Sequence, residues 1–200
     1  MSARQAWMKI AEKKKRDREL ILAEHPEWRL KKPVGEDVKN VKSIPIMELS
    51  SREADIVRCD ATLLLSRIEK RQYTSLEVAE AYCHAATIAQ ELTNCLTEVF
   101  FEDALAQAKV LDAYMDQTGK TIGPLHGLPV SVKDHIMIKG KDTSTGYISW
   151  CYKSIADKDA VAVAILRNSG AILFVKTNNP QTLLVRISIV KTVIKLSDYF

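Results

Sequence analysis

Glycine is scarce in the first half of this chain. Of seven glycines in 200 residues, only Gly35 precedes Gly119, so tight turns and close backbone approaches should concentrate in the second half. Cysteine is sparse and unpatterned. Cys59, Cys83, Cys95 and Cys151 form no CxxC pair and have no histidine at ligand spacing, which leaves a zinc site unsupported and a disulfide framework unexpected. They read as reduced, small apolar side chains. Long apolar runs are absent too: charge interrupts them within about ten residues, short of the roughly 20 needed to cross a bilayer. No signal-peptide core follows Met1, and a cytoplasmic chain without a membrane span is expected. Neither GxGxxG nor GxxxxGK[ST] occurs, and the turn GPLHG at Gly123 matches neither, so nucleotide binding lacks its motif.

Outside the first 32 residues the chain also lacks an excess of either charge. Ten Lys/Arg against five Asp/Glu lie in that segment, while the remaining 168 residues hold 19 against 20. A basic segment can touch nucleic acid or anionic lipid. Here Lys13, Lys14, Lys15, Arg16 and Arg18 are interleaved with Glu12, Asp17 and Glu19, the arrangement of i,i+4 pairs on a solvated helix face, and no nucleic-acid partner is expected.

What is present is a helical first half and a mixed second half. Up to about Leu30 the pattern predicts an amphipathic helix anchored by Trp7, Ile10, Leu20, Ile21 and Trp28 and broken at His25 and Pro26. The stretch after it, with Pro33, Gly35 and Pro45, reads as a linker wrapping over a surface. From Ser51 the register is helical through Ile56, Leu63, Leu64 and Ile68. Thr74 with Glu77 then forms a capping box opening LEVAEAYCHAATIAQEL. The helix EDALAQAKVLDAYMDQTG closes on Gly119. Beyond it, LPVSV and AILFV are strand candidates separated by the helix pattern DKDAVAVAILRNSG. Together they predict a βαβ unit with parallel strands, in an α/β chain whose residues 1–50 form helix and linker.

Both strands end on lysine, Lys133 after LPVSV and Lys176 after AILFV, so a βαβ unit brings two amines near one rim. Ligands gather at such carboxyl ends. Two readings of Lys133 stand side by side: a strand-end lysine snorkelling to water with Asp134 as partner, or a desolvated amine serving as a neutral general base. A triad of Ser131, Asp134 and His135 is disfavoured because neighbours in sequence cannot make its stacked hydrogen bonds. The hydroxyl-rich KDTSTGYISW, residues 141–150, suits either a pocket lining or an ordinary turn loop.

The motifs TSLEVAEAYCHAA, ALAQAKVLD, GPLHGLPVSVKD, STGYISW and DAVAVAILRNSGAILFVKTNNPQTLL follow one another in an order and spacing that resemble the amidase signature family, most closely its fungal acetamidase-like members. The resemblance spans residues 61–184. It implies the first βαβ part of that family's mixed sheet. It also implies hydrolysis of a small-molecule amide without metal or cofactor, by a Ser/cis-Ser/Lys triad whose lysine is Lys133. The family pattern continues into a Gly/Ser-rich segment carrying the serines. Residues 185–200, VRISIVKTVIKLSDYF, hold no glycine and are expected to be divergent, so residues 51–184 form a partial domain that carries the lysine alone. Such a chain is expected to be inactive by itself, the alternative being a non-catalytic interaction module.

Overall fold

The computed structural model describes residues 3–35, 38, 40–180 and 183; the divergent tail expected at residues 185–200 lies outside them. Seven α-helices and three strands are described: α1 (Ala3–Ala23), α2 (Ile44–Glu48), α3 (Ser51–Val57), α4 (Ala61–Glu69), α5 (Ser75–Thr93), β1 (Leu96–Val99), α6 (Phe101–Thr118), β2 (Pro129–Lys133), α7 (Val161–Asn168) and β3 (Ile172–Thr177).

Local signals set most boundaries. Thr74 accepts from the Glu77 amide while Glu77 reaches back to the Thr74 amide, the expected capping box, and α6 ends on Gly119 in the left-handed region at φ 70°. A second capping box, Ser50 with Glu53, opens α3. The linker is more structured than expected, because α2 folds within it, and Leu49 at its end is buried with Ala54 of α3 and Ile88 of α5.

The sheet order is β1-β3-β2. β3 is central, antiparallel to β1 and parallel to β2, and the β2–α7–β3 segment is the expected βαβ unit. The strand β1 was not foreseen; four residues with two half-buried members give little alternation to read. On one side of the sheet, α5 and α6 bury Cys83, Phe101, Ala104, Ala108 and Leu111 against Ile172, Phe174 and Val175. On the other, Phe100, Val132, Ile138, Val163 and Leu173 form a smaller cluster with α7.

That distribution departs from strict alternation, and an irregularity in register explains it. Val130 pairs with Leu173 but Ser131 with Val175, so Phe174 is the extra residue of a bulge. Phe174 and the adjacent Val175 therefore both enter the α5–α6 core, and the side-chain parity of β3 is inverted from there on.

The first helix is anchored differently from expectation. Leu22 and Trp28 are buried, whereas Trp7 and Leu20 are exposed. The cause is electrostatic: Lys14 reaches Glu98 on β1 at 2.6 Å and Asp142 at 3.1 Å, and Arg18, one turn later, binds the Leu96 carbonyl and Asn94. Fixing that face of α1 against β1 turns Leu20, on the opposite side, to solvent. The solvated-pair reading holds for Lys13 and Asp17, which pair at 2.5 Å, but not for Lys14.

Candidate functional site at the β2–β3 rim

The turn GPLHG delivers β2. Its Gly127 sits at φ 78° with its α-carbon against Ser75 of α5, a position where any Cβ would lie 2.7 Å from the Ser75 hydroxyl. Val132 is buried in the α7-side cluster, and its neighbours Ser131 and Lys133, on the other face, are exposed. Lys133 makes no side-chain hydrogen bond or ion pair among the described residues.

The second rim lysine has the opposite environment. Lys176 is fully buried, and its Nζ donates to the Asp142 carbonyl at 2.5 Å and to Thr143 Oγ1 at 3.4 Å. Burial pushes its pKa down, while the nearby carboxylates of Asp134, Glu98 and Asp142 partly oppose that shift. Register explains why the two amines do not meet: Val132 pairs with Lys176 and Lys133 with Thr177, and paired residues of neighbouring strands share a face. The amines share a rim but lie on opposite faces of it.

Asp134 is not the partner of Lys133. It is buried, its amide donates to the Thr177 carbonyl, and its Oδ2 accepts from Ser144 at 2.9 Å. That contact also disposes of a triad from Ser131, Asp134 and His135, because the aspartate is committed to another serine and Ser131 is exposed on the other face of β2. The hydroxyl-rich loop proves to be a structural strap over Lys176. Asp142 accepts from the Tyr152 amide at 2.7 Å and from Lys14, its own amide donates to Glu98, and isolated bridges join Lys139 to Ala156 and Asp142 to Ile155. Sequence reasoning missed the roles of Lys14, Glu98 and Asp142. Only the charge of each was visible, and they are joined across as many as 128 positions.

The four cysteines are free thiols, Cys83 and Cys151 buried; burial pushes the Cys83 thiol far up, which keeps it protonated. Among the described residues no helix is long and apolar enough to cross a membrane.

Comparison with known proteins gives this arrangement its relatives. Residues 77–188 match the Amidase family, four residues past the expected limit at Leu184. The acetamidase of Emericella nidulans is 42% identical over 183 residues, which is 90% of this chain and 32% of that protein. A solved fatty acid amide hydrolase superposes with a TM-score of 0.80 at 33% identity, covering 89% of this chain and 32% of that one. The peptide amidase of Stenotrophomonas maltophilia superposes with a TM-score of 0.56 at 27% identity over 62% of this chain. Coverage of about nine-tenths extends the likeness into the N-terminal segment, beyond residues 61–184. The chain spans about a third of the length of the curated relatives it matches. The family match covers more than half of its residues: this chain belongs to the amidase family, the amidase signature enzymes.

Proposed function

We propose that this chain is the N-terminal part of an amide hydrolase in which Lys133 is the general base of a Ser/cis-Ser/Lys relay. The observation that carries the reading is the disposition of Lys133. It stands at the C-terminal end of β2, inside the family match, and its amine is exposed and unpartnered among the described residues, while Asp134 and Lys176 on the same rim are each held by a hydrogen bond. A base must be free to take a proton from a hydroxyl presented to it, and an ammonium has no lone pair. The lysine must therefore be desolvated and neutral when it acts. The described residues leave it open to water, so the desolvating cover and the two serines have to come from polypeptide outside them.

Chemically, the neutral Lys133 amine would accept a proton from the bridging serine, which accepts one from the nucleophilic serine as that oxygen attacks the amide carbonyl. Water then releases the acid from the acyl-enzyme. The substrate class is a small carboxylic amide. The chain alone holds a base with nothing to activate and is expected to be inactive.

Two measurements test this. The purified chain should release no ammonia from acetamide or a simple aryl amide; release that Lys133→Ala abolishes would refute inactivity. A chimera joining residues 1–184 to the remaining two-thirds of the Emericella nidulans acetamidase should hydrolyse acetamide and lose that activity, by roughly a thousandfold or more, on Lys133→Met. Undiminished turnover in that variant would remove Lys133 from the mechanism.

A second reading, a non-catalytic interaction module, is favoured by one feature. Val161 and Ile165, one turn apart on α7, are 79% and 60% exposed, and exposed Met137 binds the Ala160 amide through its carbonyl at the start of that helix; such apolar exposure suits a protein partner. Labelling by a fluorophosphonate probe separates the two: the first reading requires labelling of the chimera and none of this chain.

A further inference from the structure

The strap that covers Lys176 is held by polar contacts rather than by the core. Among the described residues, no side chain from residues 139–159 joins any of the four hydrophobic clusters, although Ile138 and Ala160, just outside that stretch, both pack in the α7-side cluster. A segment with so little apolar anchoring opens readily unless polar contacts hold it, so those contacts decide whether Lys176 stays sealed.

The contacts converge on α1. Lys14 Nζ lies 2.6 Å from Glu98 Oε1 on β1 and 3.1 Å from Asp142 Oδ2 on the strap. Glu98 Oε2 accepts from the Asp142 amide at 3.1 Å, and Asp142 Oδ2 also accepts from the Tyr152 amide at 2.7 Å. The Asp142 carbonyl in turn accepts from Lys176 Nζ at 2.5 Å. Asp142 is therefore held by α1 through its side chain and by the enclosed lysine through its backbone. A second tie lies beside the first: Tyr152 Oη donates to Asp17 at 2.7 Å, and Lys13 Nζ stands 4.0 Å from the centre of the Tyr152 ring. Elsewhere the strap is tied by Ser144 to Asp134 at 2.9 Å and by Lys141 to exposed Asp103 at 2.7 Å. Removing the Lys14 amine would leave the Glu98 and Asp142 carboxylates, 19% and 4% exposed, without the cation that lies against both, and like charges in such a site repel.

We propose that α1 is a clasp: through Lys14 it holds the strap of residues 139–156 closed over Lys176, and its release opens the strap and uncovers that amine without unfolding the α5–α6 core. Lys14 is a positioning residue that acts on Lys176 through Asp142. This inference is independent of the catalytic reading of Lys133.

The test follows the 200-residue chain with an amine-acetylating reagent, N-hydroxysuccinimidyl acetate, and a thiol-alkylating one, N-ethylmaleimide, each site being read by peptide mass spectrometry. In the unaltered chain, exposed Lys133 should be acetylated faster than Lys176, by about tenfold or more. Lys14→Met should raise the Lys176 rate by about tenfold or more and leave the Cys83 thiol, buried in the α5–α6 core, as slow to alkylate as before. Lys14→Arg, which keeps the cation, should hold the Lys176 rate within about threefold of the unaltered chain. An unchanged Lys176 rate in Lys14→Met overturns the proposal, as does a Lys14→Arg rate equal to that of Lys14→Met. A parallel rise at Cys83 also overturns it, because that is general loosening. If Lys14→Met fails to fold, hydrogen exchange of the unaltered chain decides. The Asp142 and Tyr152 amides should then share the opening constant of the α1 amides around Arg18 within about threefold, well above that of the α5 amides around Cys83. Strap amides that open independently of α1 overturn the clasp.

Discussion

Lys133 and Lys176 end adjacent, hydrogen-bonded strands, yet one is exposed and the other is sealed beneath a loop. The difference arises in the backbone rather than in the residue type. The extra residue Phe174 inverts the parity of β3, which sends Lys176 to the side where Asp142 and Thr143 wait and leaves Lys133 on the opposite face. The same contrast divides the molecule. Around β1 and β3, the helices α5 and α6 close the core; at β2 and α7, apolar and basic side chains alike remain open. The closed half is joined across long stretches of chain, with Leu22 and Trp28 in one cluster with Ile172 and Phe174, whereas Val161 and Ile165 of α7 remain exposed.

Substitutions can break that comparison. The largest effect is expected in the closed half: Phe101→Ala, at a position with no exposure, should cost about 3–5 kcal/mol in denaturant unfolding. A similar cost for Val161→Ala on α7, which should stay within about 0.5 kcal/mol, would show the two halves to be equally closed. Next come the lysines themselves. Lys176→Ala strips the Asp142 carbonyl of its buried donor and empties a fully enclosed site, an expected loss of about 1–3 kcal/mol. Lys133→Ala should leave the unfolding midpoint where it is, and matching losses for the pair would mean that Lys133 is buried in solution. Thr74→Ala removes one half of the α5 capping box and should cost about 1 kcal/mol.

The smallest expected effect is on pH dependence. Burial holds the His126 imidazole below its usual 6.5, so the folded chain takes up that proton less readily than the unfolded chain. Stability from this site is complete above about pH 6.5 and falls as the pH drops through it, since only the unfolded state then gains the charge. His126→Phe should flatten the decline of the unfolding midpoint between about pH 7 and pH 5. An unchanged slope would show that His126 titrates alike in both states.

Much of the fold was legible in the residues. Thr74, Glu77 and Gly119 set helix ends through groups three or four positions apart, and the apolar runs around Val132 and Phe174 announced the βαβ unit. The capping box at Ser50 and Glu53 is equally local, but it straddles the boundary between the stretch read as linker and the helical register from Ser51. What local pattern could not supply was phase. The exposure of Leu20, the half-burial of Lys14 and the inward turn of Lys176 each follow from a partner far along the chain. Lys133 was identified through motif likeness, because the physics of a strand-end lysine left both of its readings open.

The sequence by itself determined the helix caps, the parallel strand pair and the lysine at the end of GLPVSVKD, because those features rest on interactions within a few residues or on an apolar run long enough to demand burial. The tertiary structure alone decided which rim lysine is enclosed and why α1 docks by its charges. Each depends on strand register and helix phase, and a single bulge residue is enough to reverse which side chains share a face.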